Sequence, residues 1–109
     1  MARTFEVYNE KTVSKLGTVY GVYALAYGMQ NTNSVHVFYV GSGNIQERLM
    51  HHLSDLEENS CVKNNVSKYA CFFWYEEVQG GEEKRTARES ELITTYQKDG
   101  KAECNKKNP

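Results

Sequence analysis

The stretch YVGSGNIQERLMHH, residues 39 to 52, decides how this chain is expected to fold. It opens on aromatic and β-branched residues and reaches a glycine at Gly41, which is typical of a strand that ends. Asn44 is a favoured helix N-cap, and Glu47 three residues later completes a pattern like a capping box. The following apolar residues recur at the spacing of one helical face: Ile45, Leu49, Leu53 and Leu56. The stretch therefore predicts a strand followed directly by a helix.

Three apolar runs predict the strands: TVYGVYALAY (18–27), VHVFYVG (35–41) and KYACFFWYEEV (68–78). The segment GMQNTNS (28–34) has the composition of a turn, so the first two strands are expected to form an antiparallel hairpin. A register with Tyr27 facing Val35 would place Tyr23 opposite Tyr39. Their side chains would then share one face of the sheet, with Cβ atoms about 5 Å apart.

The rest of the chain completes a small mixed fold. KRTARESELITTYQ (84–97) predicts a second helix that ends near Asp99–Gly100. Residues 1–17 predict an irregular or short extended lead-in, and ENSCVKNN (58–65) predicts a polar break. The order β-β-α-β-α predicts an α/β fold of the α+β type, with a three-stranded antiparallel sheet flanked by helices. A chain of 109 residues predicts a single domain, 1–109, with its core at about 18–105.

Composition narrows the class of protein. The chain is 39% hydrophobic and 25% charged, as soluble globular domains are. No apolar run approaches the roughly 20 residues of a membrane span, so no membrane partner is expected. The N-terminal MARTFEVYNE lacks the apolar core of a signal peptide, which predicts a cytoplasmic protein. A net charge of −1 argues against a free-standing nucleic-acid binder, although Lys and Arg are concentrated in the second half of the chain.

The cysteines give a separate expectation. Cys61, Cys71 and Cys104 are odd in number, and none belongs to a C-x-x-C pair. That pattern favours neither a disulfide framework nor a structural zinc site. We therefore expect free thiols, some of them buried.

Three charged residues stand out on the predicted helices. Arg48 and His52 lie four residues apart at the margin of the apolar face of the first helix, from where both could reach a shared cleft. The structural alternative is an arginine that lies along the surface and an exposed histidine. Glu89 projects into the apolar arc of the second helix, where a carboxylate is costly unless it is paired or binds a metal. A buried pair with Arg48 is the structural alternative for Glu89.

Two tyrosines complete a set of groups that suits phosphodiester hydrolysis. Tyr23 and Tyr39 can equally be packing residues of paired strands. Gly21 and Gly41, one in each strand, indicate places where another group approaches the backbone closely. One carboxylate can hold a divalent cation, an arginine matches phosphate oxygens, and a tyrosine can take a proton if its pKa is lowered. Common hydrolase and nucleotide-triphosphatase motifs are absent from the sequence.

With these residues identified, the chain resembles the GIY-YIG nuclease family from about residue 20 to 105. Gly21-Val22-Tyr23 looks like the first family motif, and Tyr39-Val40-Gly41 looks like the second. RLMHH (48–52) resembles the family helix in which Arg is followed four residues later by His. ESELITTY (89–96) is similar to the family pattern E-x-x-L-I-x-x-Y, and Cys104-Asn105 resembles the segment with the closing Asn. The five motifs occur in the family order.

The resemblance implies a metal-dependent DNA endonuclease, a hydrolase with a one-metal mechanism. Glu89 would bind a single Mg²⁺ or Mn²⁺, and Tyr23 would act as general base or position the water. Tyr39 and Arg48 would contact the scissile phosphate, and His52 would assist phosphate or proton handling. Asn105 would orient its neighbours in the site. The expected partner is double-stranded or structured DNA.

Three features depart from the family pattern. The hairpin loop is longer than usual, the stretch from Gly41 to Arg48 is one residue short, and Ala102 replaces a proline often found before the closing Asn. The chain has no room for a separate DNA-binding part, so it would bind DNA weakly, bind as a homo-oligomer or work with a partner that targets DNA. The loop 28–34 and the Lys-rich tail are candidate DNA contacts, and a solvated tail is the alternative. The competing function is a non-catalytic module that binds nucleic acid or protein on the same fold.

Overall fold

The computed structural model describes residues 4–28 and 35–105. Within these ranges the chain forms four strands and four helices. Their order is β1 (Glu6–Val7), α1 (Glu10–Ser14), β2 (Tyr20–Gly28), β3 (Val35–Asn44), α2 (Ile45–Leu53), α3 (Ser60–Lys68), β4 (Cys71–Glu77) and α4 (Glu82–Lys98). Every strand pair is antiparallel, and the strands lie in the order β1-β4-β2-β3.

The α+β class and the antiparallel sheet are confirmed, but the predicted three-stranded sheet and the order β-β-α-β-α are wrong. The additional strand β1 lies in the expected lead-in and pairs Glu6 with Phe73 and Val7 with Phe72. With only two residues it carries too short a pattern to be read from sequence. Helix α1 follows it, and Asn9 caps that helix by accepting a hydrogen bond from the Thr12 amide at 2.8 Å.

The register of the hairpin differs from the prediction by one residue at Tyr27, which pairs with His36, and by a second residue beyond a bulge in β3. Tyr23 pairs with Gly41, Leu25 with Tyr39 and Ala26 with Val37, so Phe38 is an extra residue on β3. Tyr23 and Tyr39 are thus diagonal rather than opposite. Their side chains still share one face, and their ring centroids lie 6.4 Å apart.

Helices cover both faces of the sheet, and alternate residues of β2 divide the core between them. One face packs Tyr23 and Leu25 against residues from the first three helices: Val13, Ile45, Leu49 and Val62. The other face packs small residues of β2, among them Ala24, against Trp74 and Leu92. Helix α4 therefore lies on the side of the sheet opposite to α2.

Helix α2 begins as predicted at its asparagine cap. Asn44 accepts a hydrogen bond from the Glu47 amide at 3.3 Å, and its own amide group donates to the Glu47 carboxylate at 3.0 Å. The predicted apolar face is right at Ile45 and Leu49, which are fully buried, and wrong at Leu56. The helix ends at Leu53, and Leu56 lies beyond it with 74% of its surface exposed.

The expected polar break at 58–65 is largely helix α3. Its only fully buried residue is Val62, so the apolar signal is weak, but Asn59 caps the helix by accepting from the Val62 amide at 3.2 Å. Strand β4 begins at Cys71, three residues later than predicted, because α3 continues to Lys68. Helix α4 ends as expected, with Asp99 at the C-cap and Gly100 in the left-handed region at φ 74°.

After α4 the segment 102–105, here called the edge segment, runs along the free side of β3. The Ala102 amide donates to the Val37 carbonyl at 2.9 Å, and the Cys104 amide donates to the Phe38 carbonyl at 2.8 Å. These bonds satisfy backbone groups that an edge strand would otherwise expose. The edge segment therefore extends the fold to the last described residue, Asn105.

The expectation of three free thiols is wrong. Cys61 on α3 and Cys104 on the edge segment form a disulfide, while Cys71 remains free and buried, as expected for part of the set. The two partners are 43 residues apart, and only the folding of α3 against the edge segment brings them together. Among the described helices none is long and apolar enough to cross a bilayer.

Candidate active site

The site is built around Gly41, where β3 passes directly beneath the Tyr23 hydroxyl. A Cβ added at Gly41 would lie 2.3 Å from the Tyr23 Oη, closer than any real contact. On the other side of β2, a Cβ at Gly21 would lie 2.0 Å from the carbonyl oxygen of Glu76. The prediction that another group approaches the backbone at Gly21 and Gly41 is confirmed.

A buried chain of hydrogen bonds begins at Tyr23. Its hydroxyl lies 2.7 Å from His52 Nε2 on α2, and His52 Nδ1 is hydrogen-bonded to Glu57 Oε1. The second carboxylate oxygen of Glu57 accepts a hydrogen bond from the backbone amide of Asn59 at 3.0 Å. Tyr23 is fully buried, and His52 and Glu57 are 3% and 9% exposed, so His52 is not the exposed histidine of the structural alternative.

Burial and charge decide the protonation of this chain. Burial lowers the pKa of His52 below its usual value, an effect that the bonded Glu57 only partly offsets. Burial alone would raise the pKa of Glu57, but the Asn59 amide and His52 stabilise its carboxylate, and the net pKa is lowered. Near neutral pH the imidazole is therefore neutral and the carboxylate is ionised.

Arg48 brings a positive charge to both tyrosine hydroxyls. Burial raises the pKa of Tyr23 and of Tyr39, and the Arg48 guanidinium opposes that rise at each hydroxyl. Arg48 itself is exposed, and its aliphatic part packs beside Gly43, within 3.6 Å of where a Cβ would be. Tyr39 is half-buried, and its ring centroid lies 5.1 Å from that of His52. Two hydroxyls and a cation thus meet at the N-terminal half of α2.

Glu89 approaches the same place from α4. It is half-buried, and its Oε1 accepts a hydrogen bond from Ser42 Oγ at 2.7 Å. Its negative charge acts on the hydroxyls of Tyr23 and Tyr39, although α4 packs on the other face of the sheet. In residues 4–28 and 35–105 no ion pair joins Glu89 to Arg48, so the alternative of a buried structural pair is not what the fold forms.

Asn105 holds the strand on which the site is built. Its side-chain oxygen accepts from the Val40 amide, and its side-chain amide donates to the Val40 carbonyl, both at 2.8 Å. Val40 lies between Tyr39 and Gly41, so Asn105 fixes the backbone at the centre of the site without touching the polar cluster. All six residues predicted from the sequence therefore belong to one region, with Asn105 in a supporting position.

The donor set suits a hard cation that keeps most of its water. Glu89 and Ser42 offer oxygen atoms, and Mg²⁺ is commonly held by one or two carboxylates together with water and substrate phosphate. The described part of the chain contains no group of three His, Cys, Asp or Glu side chains arranged to hold a metal. The residues present therefore fit a cation bound through one carboxylate, and not a closed site made by protein alone.

Sequence reasoning missed Glu57 and Ser42. Glu57 lies between the exposed residues Leu56 and Glu58, just ahead of a segment interpreted as a polar break, so no periodic pattern marks it. Its one available signal is its position just before the Asn59 cap of α3. Of the regions expected to contact DNA, residues 29–34 of the loop and 106–109 of the tail, with Lys106 and Lys107, lie outside the described residues.

Chemically, the site can place a phosphate beside Arg48, move a proton along buried oxygen and nitrogen atoms, and present one carboxylate to a cation. The motifs that resemble the GIY-YIG family supply all six of the predicted residues, and Asn105 comes from the edge segment. Comparison with known proteins finds no matching family model, no matching curated protein and no matching solved structure.

Proposed function

We propose that the protein is a metal-dependent endonuclease that hydrolyses phosphodiester bonds in DNA, with a GIY-YIG type of site. The observation that carries this proposal is the meeting of Tyr23, Tyr39, Arg48 and His52 on one side of Gly41, with the charge of Glu89 acting on the same hydroxyls. The Arg48 guanidinium interacts with both tyrosine hydroxyls and, because the side chain is exposed, it can also be reached by a phosphate. A phosphate gives that arrangement a purpose.

In the reaction, Arg48 and Tyr39 hold the scissile phosphate at the exposed side of the cluster. A water attacks phosphorus, its oxygen forms the new P–O bond, and the ester bond to the leaving oxygen breaks. The attacking water gives a proton to the Tyr23 oxygen while Tyr23 gives its own proton to His52 Nε2, 2.7 Å away. A divalent cation bound by Glu89 would polarise the phosphate and stabilise the leaving oxygen.

Access to Tyr23 depends on Arg48. Tyr23 is fully buried and its raised pKa keeps it neutral, so it is not an exposed phenolate waiting for water. Arg48 is exposed and hydrogen-bonded to both tyrosine hydroxyls, so a bound phosphate would compete with the Tyr23 hydroxyl for its guanidinium. Its displacement on substrate binding opens the Tyr23 hydroxyl to the attacking water and makes cutting depend on bound DNA.

The decisive experiment compares the wild type with Glu89→Gln on supercoiled plasmid, in Mg²⁺, in Mn²⁺ and in EDTA. We expect nicking or linearisation by the wild type in either metal and none in EDTA. Glu89→Gln should lower the rate at least about 100-fold, because an amide is a poor ligand for a hard cation. Glu91→Gln, an exposed carboxylate two residues away on α4, is the matched control and should cut like the wild type.

Equal cutting by Glu89→Gln and the wild type would contradict the metal role of Glu89. DNA binding by both proteins without cutting in any condition would favour the non-catalytic module. With a net charge of −1 the protein should bind DNA weakly alone, so a homo-oligomer or a DNA-targeting partner is part of the proposal. The cytoplasmic location stays a prediction, and the Cys61–Cys104 disulfide argues against it, because such bonds are rare in the cytosol.

A further inference from the structure

Glu57 is the best-connected carboxylate near the site, and the resemblance assigns it no role. One of its oxygens is bound to His52 Nδ1 and the other accepts from the Asn59 amide. It is 9% exposed, whereas its neighbours Leu56 and Glu58 are exposed. Burying a carboxylate is costly, and a carboxylate buried against one histidine constrains where the proton of that histidine lies.

The hydrogen bonds, together with an ionised Glu57 and a neutral His52, permit one arrangement of protons on Tyr23 and His52. An ionised Glu57 can only accept, so His52 must donate to it from Nδ1–H. The imidazole is neutral, so its other nitrogen, Nε2, carries no proton and must accept. The group that donates to Nε2 is the Tyr23 hydroxyl. The chain therefore runs in one direction, from Tyr23 through His52 to Glu57.

We propose that Glu57 is a positioning residue that holds His52 in its Nδ1–H tautomer and so keeps Nε2 ready to take the proton of Tyr23. This role rests on the proposed nuclease function, because it matters for catalysis only if Tyr23 takes a proton from water. In that step the water proton moves to the Tyr23 oxygen and the Tyr23 proton moves to Nε2. The resulting imidazolium keeps its Nδ1–H bond to the Glu57 carboxylate, which stabilises the new charge.

Burial and the charges around His52 keep the resting imidazole neutral. Arg48 and His51 disfavour a positive charge on the resting imidazole, which keeps it neutral before the reaction. His51 Nε2 also lies 3.9 Å from Glu57 Oε2, so the Glu57 carboxylate faces two imidazoles. The Tyr39 ring contacts the His52 ring edge-on, with the ring centroids 5.1 Å apart.

The variant Glu57→Gln tests whether Glu57 sets the His52 tautomer, because the backbone amide of Asn59 decides how the new side chain is oriented. Asn59 donates, so it selects the oxygen of the substituted carboxamide and turns the NH₂ group of that side chain towards His52. An NH₂ donor facing Nδ1 forces the proton of His52 onto Nε2, which then can no longer accept from Tyr23. Glu58→Gln removes the same charge from the neighbouring exposed residue and is the matched control.

Two measurements are made on both variants and the wild type. Nitrogen NMR of labelled histidine reports which nitrogen of His52 is protonated, and it needs neither metal nor DNA. Single-turnover cleavage of plasmid at saturating protein reports the reaction, with DNA affinity measured separately. We expect Nδ1–H in the wild type and in Glu58→Gln, and Nε2–H in Glu57→Gln. The cleavage rate of Glu57→Gln should fall roughly 10²- to 10⁴-fold with DNA affinity unchanged within about threefold.

A wild-type His52 that carries its proton on Nε2, or on both nitrogens at neutral pH, would overturn the role of Glu57 even if no variant could be purified. A Glu57→Gln protein with the changed tautomer and full activity would overturn its link to catalysis. If the wild type cuts no DNA in any metal, the nuclease function fails, and the NMR result still decides whether Glu57 places the proton.

Discussion

At the scale of single residues, Gly41 and Gly21 each leave room for a group that a Cβ atom would displace, but the two groups differ. Gly41 makes room for the end of a side chain, the Tyr23 hydroxyl, whereas Gly21 makes room for the backbone of the neighbouring strand β4. A side chain can shift by rotating, but a paired strand cannot shift without losing hydrogen bonds. The same substitution should therefore damage the site at one glycine and the sheet at the other.

We expect Gly41→Ala to fold and to cut poorly. The added methyl group displaces the Tyr23 hydroxyl from His52, which should lower cleavage at least about 100-fold and stability by about 1–3 kcal/mol. Gly21→Ala should cost more stability, because its methyl group meets the Glu76 carbonyl. Urea unfolding and plasmid cleavage of both variants check this, and the reverse ranking in stability would contradict it.

The buried pair of His52 and Glu57 predicts that acid weakens the fold. In the unfolded chain His52 takes up a proton near its ordinary pKa of about 6.5, while in the folded protein burial lowers that pKa. The unfolded state thus binds more protons below about pH 6.5, and stability falls as the pH drops from 7. Glu57, whose folded pKa is also lowered, adds a loss in the same direction below its ordinary value of about 4.5.

Unfolding by urea at pH 7, 6 and 5 measures this dependence. We expect the free energy of unfolding of the wild type to decrease across this range, and that of His52→Gln to decrease less, since the variant has no imidazole to protonate at this position. An equally steep decrease in the variant would show that other groups cause the acid sensitivity.

At the scale of elements, the edge segment 102–105 explains why Ala102 is not a proline. Ala102 has φ 56°, in the left-handed region, and its amide donates to the Val37 carbonyl. Proline has neither that backbone angle nor an amide hydrogen. A proline at position 102 would therefore not fit the way this segment lies against β3.

Asn105→Asp tests the edge segment with almost no change in shape. The side-chain amide that donates to the Val40 carbonyl becomes an oxygen that repels it, so we expect a loss of about 1–3 kcal/mol in the free energy of unfolding. Asn64→Asp makes the same change at an exposed position of α3 and should cost much less. Thermal unfolding of both proteins gives the comparison, and equal losses would mean that the hydrogen bonds to Val40 contribute little to stability.

The elements that sequence predicted well are those with local signals. Helix α2 has its asparagine cap and apolar face, and α4 has a long periodic pattern. Helix α3 was missed because Val62 and Val66 are too few to mark a buried face. The hairpin register was missed because the sequence marks neither the pairing of Gly28 with Val35 nor the bulge at Phe38. Glu57 was missed for a similar reason, since its burial depends on where α2 ends and α3 begins.

At the scale of the whole molecule, the site draws on both helical layers. His52 and Arg48 come from the layer that contains α2, and Glu89 comes from α4 on the opposite face, yet all meet at the end of β3. Motif order in the sequence predicted the members of this group. It did not predict the disulfide that ties α3 to the edge segment.

The disulfide should contribute about 2–4 kcal/mol to stability, because it closes a long loop in the unfolded chain. Cys61→Ser should lower the free energy of unfolding by that amount, and reductant should then have no further effect on it.

In denaturant, thiol labelling followed by mass measurement should find one reactive cysteine without reductant and three with it. In the native protein Cys71 should react slowly, since burial raises the pKa of its thiol to about 11. Three labelled cysteines without reductant would contradict the bond.

The Cys61–Cys104 disulfide also determines which parts of the chain carry a pulling force. When the two ends of the chain are pulled apart, force passes from Cys61 to Cys104 across sulfur and bypasses the loop between these cysteines, which are 43 residues apart in sequence. Reduction should release about 150 Å of extra extension, at about 3.5 Å per residue. Glu89 lies inside this shielded ring, whereas Tyr23, Tyr39 and Arg48 lie outside it. Tension would therefore pull the tyrosines and the arginine out of the site while the helix that carries Glu89 bears no load.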